Sequence, residues 1–249
     1  FADRDYLVYQ DERWTYADAH REVAAAAAWL FDQGVKPGDR VAIAMRNYPE
    51  WMLLYWACVS TGIAVVGMNA WWTAEEMEYA LKDSEPKVLF ADSERLDRVL
   101  SIEGAADRMK IVGVRAPDAP APVIQWADVL AHGGDLPAVR VDPDADACIF
   151  YTSGTTGFPK GAQLTHRGCV SNLLNMAFSG ASTALATQRA TGEVPPEEAP
   201  IPVALITTPL FHVTANNCGA YLVTAAGGKI VLMYRWDAGE ALRLVETEK

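Results

Sequence analysis

Stretches of apolar residues at strand length and stretches with helical start and stop signals take turns along this chain from residue 15 onward. Thr15 to Gln33 reads as a helix, opened by a capping box of Thr15 with Asp18 and closed by Gly34. Pro37-Gly38-Asp39 is a turn, and Arg40 to Met45 is a short apolar strand. Pro49 opens a second helix that runs from Glu50 to about Ser60, and Ile63 to Met68 is a β-branched run suited to a buried strand. A second capping box, Thr73-Ala74-Glu75-Glu76, starts a helix to about Asp83. Lys87 to Ala91, Glu94 to Leu100 and Lys110 to Val114 continue as strand, helix, strand.

The texture changes at Ala116-Pro117-Asp118-Ala119-Pro120-Ala121-Pro122, a proline-rich connector. Gln125 to Ala131 is a short helix, and Ala147 to Tyr151 is an apolar strand that feeds a glycine-rich run. Gly161 to Leu164 returns as a strand, followed by a long helix from Arg167 to about Ala186. Thr187 to Pro202 holds four prolines with Glu193, Glu197 and Glu198, and reads as a mobile surface loop. Val203 to Thr207 and Lys229 to Met233 read as strands, with a helix from Thr214 to Ala226 between them. A last amphipathic helix begins at Asp237 and is expected to run uncapped into Lys249, as a chain cut within a longer protein would. The alternation predicts an α/β fold of layered, largely parallel sheets flanked by helices. Along the chain it divides into a first α/β portion (1–115), the connector with its short helix (116–146) and a phosphate-loop portion (147–249).

Composition narrows the functional classes. The 249 residues are 51% hydrophobic and 21% charged, with a net charge of −11. That is the profile of a soluble globular protein, and its sign argues against a nucleic-acid partner. The start, Phe1-Ala2-Asp3-Arg4-Asp5, lacks the basic-then-apolar pattern of a signal peptide. The most apolar stretch, Trp51 to Gly67, is too short and interrupted for a transmembrane segment. Cys58, Cys148, Cys169 and Cys218 have neither metal-site nor redox spacing and are read as buried free thiols of a cytoplasmic protein. His20, His132 and His166 have no metal-ligand spacing, so no metal ligand is assigned in this chain. Trp51, Tyr55, Trp56, Trp71 and Trp72 are read as core or subunit packing, which leaves a homodimer open.

The chemistry concentrates in Tyr151-Thr152-Ser153-Gly154-Thr155-Thr156-Gly157-Phe158-Pro159-Lys160-Gly161. Glycines 154, 157 and 161 let backbone N–H groups approach a phosphate. Thr152, Ser153, Thr155 and Thr156 offer hydroxyl donors, and Lys160 adds a compact positive charge. Such a nest suits a polyphosphate. The run does not match the nucleotide-hydrolase loop G-x-x-x-x-G-K-[ST], because Lys160 precedes a glycine and no Ser or Thr follows. No Asp or Glu occurs from Ala147 through Gly192, while Lys160, Arg167 and Arg189 do, so the surroundings are expected to be free of acids.

Ile149 to Gly161 resembles the core signature of the adenylate-forming enzymes: acyl- and aryl-CoA synthetases, luciferases and the adenylation domains of nonribosomal peptide synthetases. Asn47-Tyr48-Pro49-Glu50-Trp51, Asn69 through Glu76, Leu164-Thr165-His166-Arg167 and Pro209-Leu210-Phe211-His212-Val213 resemble further family segments in the same order. The resemblance thus covers essentially the whole chain. It departs after His212, where Thr214 and Ala215 follow and no glycine occurs until Gly219.

The resemblance implies part of the family's large N-terminal domain, without the C-terminal lid domain. It implies an acid–thiol ligase that uses ATP, Mg2+ and coenzyme A to activate a small carboxylic acid, of fatty or other hydrophobic type, through an acyl-adenylate. Thr152, Ser153, Gly154, Thr155, Thr156, Gly157 and Lys160 would hold the β- and γ-phosphates. The spacing of His212 alone suits a hydrogen-bonded core histidine; the resemblance turns the reading to a residue lining the carboxylate and acyl site. The family's Y-G-x-T-E adenine segment, T-G-D ribose aspartate, hinge and late catalytic lysine do not occur in this sequence, so the isolated chain is expected to be catalytically incomplete. A module loading a carrier protein and a non-catalytic nucleotide-binding fragment are the alternatives of other classes.

Overall fold

The computed structural model describes residues 1–152, 157–192 and 200–248. The chain opens with a hairpin of β1 (Asp5–Tyr9) and β2 (Glu12–Thr15), followed by α1 (Tyr16–Asp32). Then come β3 (Arg40–Ala44), α2 (Pro49–Val59), β4 (Ala64–Gly67), α3 (Ala74–Ser84), β5 (Val88–Asp92) and α4 (Ser93–Leu100). A single turn α5 (Ala105–Arg108), β6 (Lys110–Val114), the two-residue β7 (Ile124–Gln125) and α6 (Trp126–Ala131) follow. The remainder is β8 (Asp146–Thr152), β9 (Lys160–Thr165), α7 (His166–Thr191), β10 (Val203–Ile206), a π-helical turn at Thr214–Ala220, α8 (Tyr221–Ala225), β11 (Lys229–Leu232) and α9 (Ala238–Thr247).

These strands build two sheets, of order β10-β11-β1-β2 and β7-β6-β5-β3-β4-β8-β9. All neighbours run parallel except β1–β2 and β8–β9. The expected α/β architecture of mostly parallel sheets therefore holds, with an antiparallel pair at one edge of each sheet. Both sheets take strands from 1–115 and from 147–249, so that division follows the chain and not the layers. β7 adds to the edge beside β6, which ties the connector to the larger sheet.

Parallel strands covered on both faces should be apolar on both, and the pleat sorts them. Val41 and Ile43 of β3 join one core cluster; Ala42 and Ala44 join the other. The first cluster also holds Leu7, Ile230 and Leu232 of the smaller sheet with Trp29 and Leu30 of α1 and Trp51 and Tyr55 of α2. The second holds Met77 and Leu81 of α3 with Leu96 and Val99 of α4. Helix α2 is apolar nearly all round, the pattern of a helix buried within a core. Trp51 and Tyr55 are fully buried and Trp72 nearly so, whereas Trp71 is 54% exposed.

Both capping boxes form: Thr15 with Asp18, and Thr73 with Glu76. Two expectations change. The long helix α7 continues through 187–191, because nothing in that stretch breaks a helix until Gly192 closes it in the left-handed conformation, its N–H donating to Gln188 O at 2.8 Å. The rest of the predicted loop, 193–199, lies outside the described residues. The helix expected from Thr214 starts as the π-turn, which points the buried Asn216 and Asn217 amides inward: Trp51 Nε1 donates to Asn216 Oδ1 at 3.4 Å and Asn217 Nδ2 to Cys169 Sγ at 3.2 Å. As expected, α9 runs to Thr247 and the Glu248 N–H still donates to Leu244 O at 2.9 Å, while Lys249 lies outside the described residues; the Glu248 carboxylate is held by Arg13 at 2.7 Å and Lys229 at 3.0 Å.

Gly67 of β4 pairs with Phe150 of β8, and a Cβ there would lie 2.6 Å from the Phe150 ring and 3.3 Å from Trp51. Gly67→Ala should therefore overpack the core beneath the glycine-rich run, costing about 1–3 kcal/mol. Urea denaturation measures this, and an unchanged midpoint would show that the ring moves aside freely.

Candidate nucleotide-binding site

The glycine-rich run is the turn of a hairpin. β8 and β9 pair antiparallel with Tyr151 opposite Gly161 and Thr152 opposite Lys160. Because β8 lies parallel to β4, the turn sits at the shared carboxyl end of the parallel strands, where open α/β sheets bind ligands. Of the predicted phosphate-binding residues, Ser153, Gly154, Thr155 and Thr156 lie outside the described residues. Thr152, Gly157 and Lys160 are placed together on the hairpin, and all three are exposed. Thr152 Oγ1 donates to Lys160 O at 3.4 Å. Gly157 has φ +120°, a backbone region that disfavours any side chain. Lys160 makes no ion pair among the described residues, so its ammonium is available to an anion.

The surroundings are not free of acids. The gap in the sequence is filled in space by Asp83, whose Oδ2 accepts from Tyr151 Oη at 2.6 Å; Asp144 pairs with Arg167 at 2.7 Å at the other end of the hairpin, beyond the pairing of Asp146 with Thr165. Burial, with the Asp83 carboxylate beside it, pushes the Tyr151 phenol up, so it stays protonated and donates. Arg167 is thereby spoken for, and of the three cations in the acid-free window it is not one free to meet a phosphate. His166 has a buried Nε2 without a hydrogen-bond partner, and burial lowers its pKa.

His212 stands elsewhere on this end of the molecule. It follows β10, is exposed, and has its N–H bonded to Pro209 O at 3.1 Å. No hydrogen bond or ring contact among the described residues joins it to the hairpin. Its segment is held by Asn47, which follows β3 and is 6% exposed. Asn47 Nδ2 donates to Thr208 O at 3.0 Å, and its Oδ1 accepts from Leu210 N at 2.9 Å. One amide thus fastens the carboxyl end of the smaller sheet to that of the larger one.

Beside this junction lies a cleft of about 370 Å³ lined by Arg46, Trp71, Phe211, Tyr234, Arg235 and Trp236. The Arg46 guanidinium lies 4.6 Å from the Trp71 ring centre and 5.4 Å from that of Tyr234. Neither arginine forms an ion pair among the described residues, and Arg46 Nε is buried without an acceptor. The cleft therefore favours an anion attached to a flat or apolar body. Sequence reasoning missed Arg46, Arg235 and Asp83, since nothing local marks them; Asn47 was visible only as part of a quoted motif. A larger cavity of about 640 Å³ lies at the opposite, amino end of the strands, around Arg40, Lys87 and Arg108, and contains no motif residue.

Three of the four cysteines are buried as expected, while Cys218 is half-buried. No group of three or more His, Cys, Asp or Glu among the described residues could hold a metal ion. No helix among them is long and apolar enough to cross a membrane.

Residues 1–249 match the AMP-binding enzyme family, and the chain belongs to it. It is 33% identical over 235 residues to a feruloyl-CoA synthase of Amycolatopsis sp, covering 94% of this chain and 42% of that protein. It is 35% identical over 182 residues to the long-chain-fatty-acid–CoA ligase FadD15 of Mycobacterium bovis, covering 68% of this chain and 30% of that one. Its fold superposes on the inhibitor-bound N-terminal domain of FACL13 from Mycobacterium tuberculosis with a TM-score of 0.78 at 25% identity, covering 98% of this chain and 56% of that one. The chain thus spans less than half the length of these two curated relatives.

Proposed function

We propose that this chain is the phosphate-gripping part of an AMP-forming acid–thiol ligase that activates a hydrophobic carboxylic acid with ATP and passes the acyl group to coenzyme A. The observation that carries the reading is the β8–β9 hairpin, which sets Thr152, Gly157 and the unpaired Lys160 at the carboxyl end of the larger sheet. Membership of the AMP-binding family and the likeness to two CoA-thioester-forming enzymes support it.

In this reading the carboxylate attacks the α-phosphorus of ATP, pyrophosphate leaves, and the thiol then displaces AMP from the acyl-adenylate. Thr152 through Gly157 and Lys160 hold the β- and γ-phosphates and steady the charge that builds on the departing pyrophosphate. Magnesium would be carried on the phosphates with few protein ligands, the ion's usual mode. When bound, the ion supplies charge neutralisation there. His212, fixed through Asn47 at the neighbouring strand end, lines the acyl and carboxylate site. The aromatic walls of the adjoining cleft favour a hydrophobic acid or the thiol's own anionic end.

Lys160→Ala in the complete enzyme should slow ATP–pyrophosphate exchange about 10- to 100-fold, the worth of one charge-assisted contact. Unchanged exchange at saturating acid would remove Lys160, and this placement of the phosphates, from the proposal.

A further inference from the structure

Helix α3 touches both shoulders of the glycine-rich turn. On the entry side, Asp83 accepts from Tyr151 Oη at 2.6 Å, Ala80 O lies 3.3 Å from the same hydroxyl, and Trp72, in the segment leading into the helix, meets the Tyr151 ring edge-on at 5.5 Å. On the exit side, Tyr79 stacks on Phe158 with ring centres 4.6 Å apart and planes 17° from parallel. Tyr79 and Asp83 are four residues apart, so they project from one face of the helix. That face therefore bridges the turn from the residue before Thr152 to the residue after Gly157.

The Tyr79–Phe158 stack is poorly explained as core packing. Phe158 remains 64% exposed, so the contact removes little apolar surface from water. Its effect is to hold a large side chain of the turn in one place, two residues before Lys160. A loop that must be ordered as it grips a ligand loses affinity to that ordering, and a loop held beforehand loses less.

We propose that Tyr79 and Asp83 are positioning residues for the phosphate-binding turn: Tyr79 fixes its exit through Phe158 and Asp83 its entry through Tyr151. This rests on the reading of the turn as the phosphate site. Neither residue touches the ligand. Their contribution is to keep the two shoulders at the separation set by the pairing of Thr152 with Lys160.

The test is the ATP–pyrophosphate exchange of the complete enzyme, with melting temperatures recorded for each variant. Tyr79→Ala is expected to raise the KM for ATP about 3- to 10-fold, the range of an aromatic pair. The kcat and the KM for the acid should change little. Tyr79→Phe keeps the ring and should behave as the unmodified enzyme. Phe158→Ala should match Tyr79→Ala, and the double variant should be no worse than either alone, because both remove the same contact. Asp83→Asn, which keeps a hydrogen-bond acceptor, should be milder than Asp83→Ala. Three results would overturn the proposal: an unchanged KM for ATP in Tyr79→Ala, additive effects of the two aromatic truncations, or a fall in stability with both substrates affected alike. Lys160→Ala serves as the reference. If it raises the KM for ATP and Tyr79→Ala does not, the positioning role alone fails; if neither does, the phosphate reading fails and takes the positioning role with it.

Discussion

Incubated with ATP, magnesium and a hydrophobic acid, the 249-residue chain alone is expected to yield no acyl-hydroxamate above background, beside robust trapping by the complete enzyme. In the proposed reading, the exposed Thr152, Gly157 and Lys160 supply ground-state contacts with phosphates. The family elements that orient adenine and ribose, and the late lysine, do not occur in its sequence. Correct placement of reactants is worth about 7–11 kcal/mol of a barrier, and a single preorganised charge-stabilising donor about 3–4 kcal/mol. Loss of even part of these terms slows turnover by many orders of magnitude. Weak binding of pyrophosphate can survive, since the turn's donors are local. Clear turnover by the chain alone would falsify the assignment of the missing elements as essential.

Arg95→Met, on helix α4 against the larger sheet, should destabilise the protein by about 3–5 kcal/mol. Arg95 is 1% exposed and Asp92 3% exposed. Arg95 Nη1 donates to both Asp92 oxygens at 3.1 Å, and Nε donates to Ala70 O at 2.8 Å. Removing the guanidinium leaves a buried carboxylate facing only the amides of Arg46 at 3.0 Å and Arg95 at 3.1 Å. It also releases one of the bonds that fix Ala70, and with it the neighbouring Trp71 wall of the cleft. Urea denaturation measures the loss, and pairing the change with Asp92→Asn should recover part of it by removing the stranded charge. A loss below about 1 kcal/mol would mean that Asp92 reaches water in the variant.

Several features were legible because their causes are local. Thr15 and Thr73 cap their helices through residues three positions on, and Pro49 opens α2 at the position where a missing N–H costs nothing. The glycine-rich run could be placed between two strands because the apolar residues on either side are contiguous with it. The hairpin at Asp5–Thr15 escaped notice: β1 is completed by β11, more than 200 residues away, with Leu7 opposite Ile230. The two-residue β7 exists only because the edge of β6 is there to receive it. An acid-free window in the sequence suggested an acid-free site, but Asp83 comes from a helix some 70 residues earlier, brought in when β8 inserts beside β4.

The sequence by itself determined the alternation of helices and strands, the ends of most of them, and the glycine-rich run that joins β8 to β9. Those depend on side-chain period and on capping partners within a turn of helix, which a chain carries wherever it goes. Tertiary structure decided which strands meet, and so what surrounds the turn. It placed β8 between β4 and β9, set α3 across both shoulders of the turn, and let Asn47 fasten the His212 segment to the same end of the molecule. Strand pairing and burial join residues far apart in the chain, and no local pattern encodes the partner.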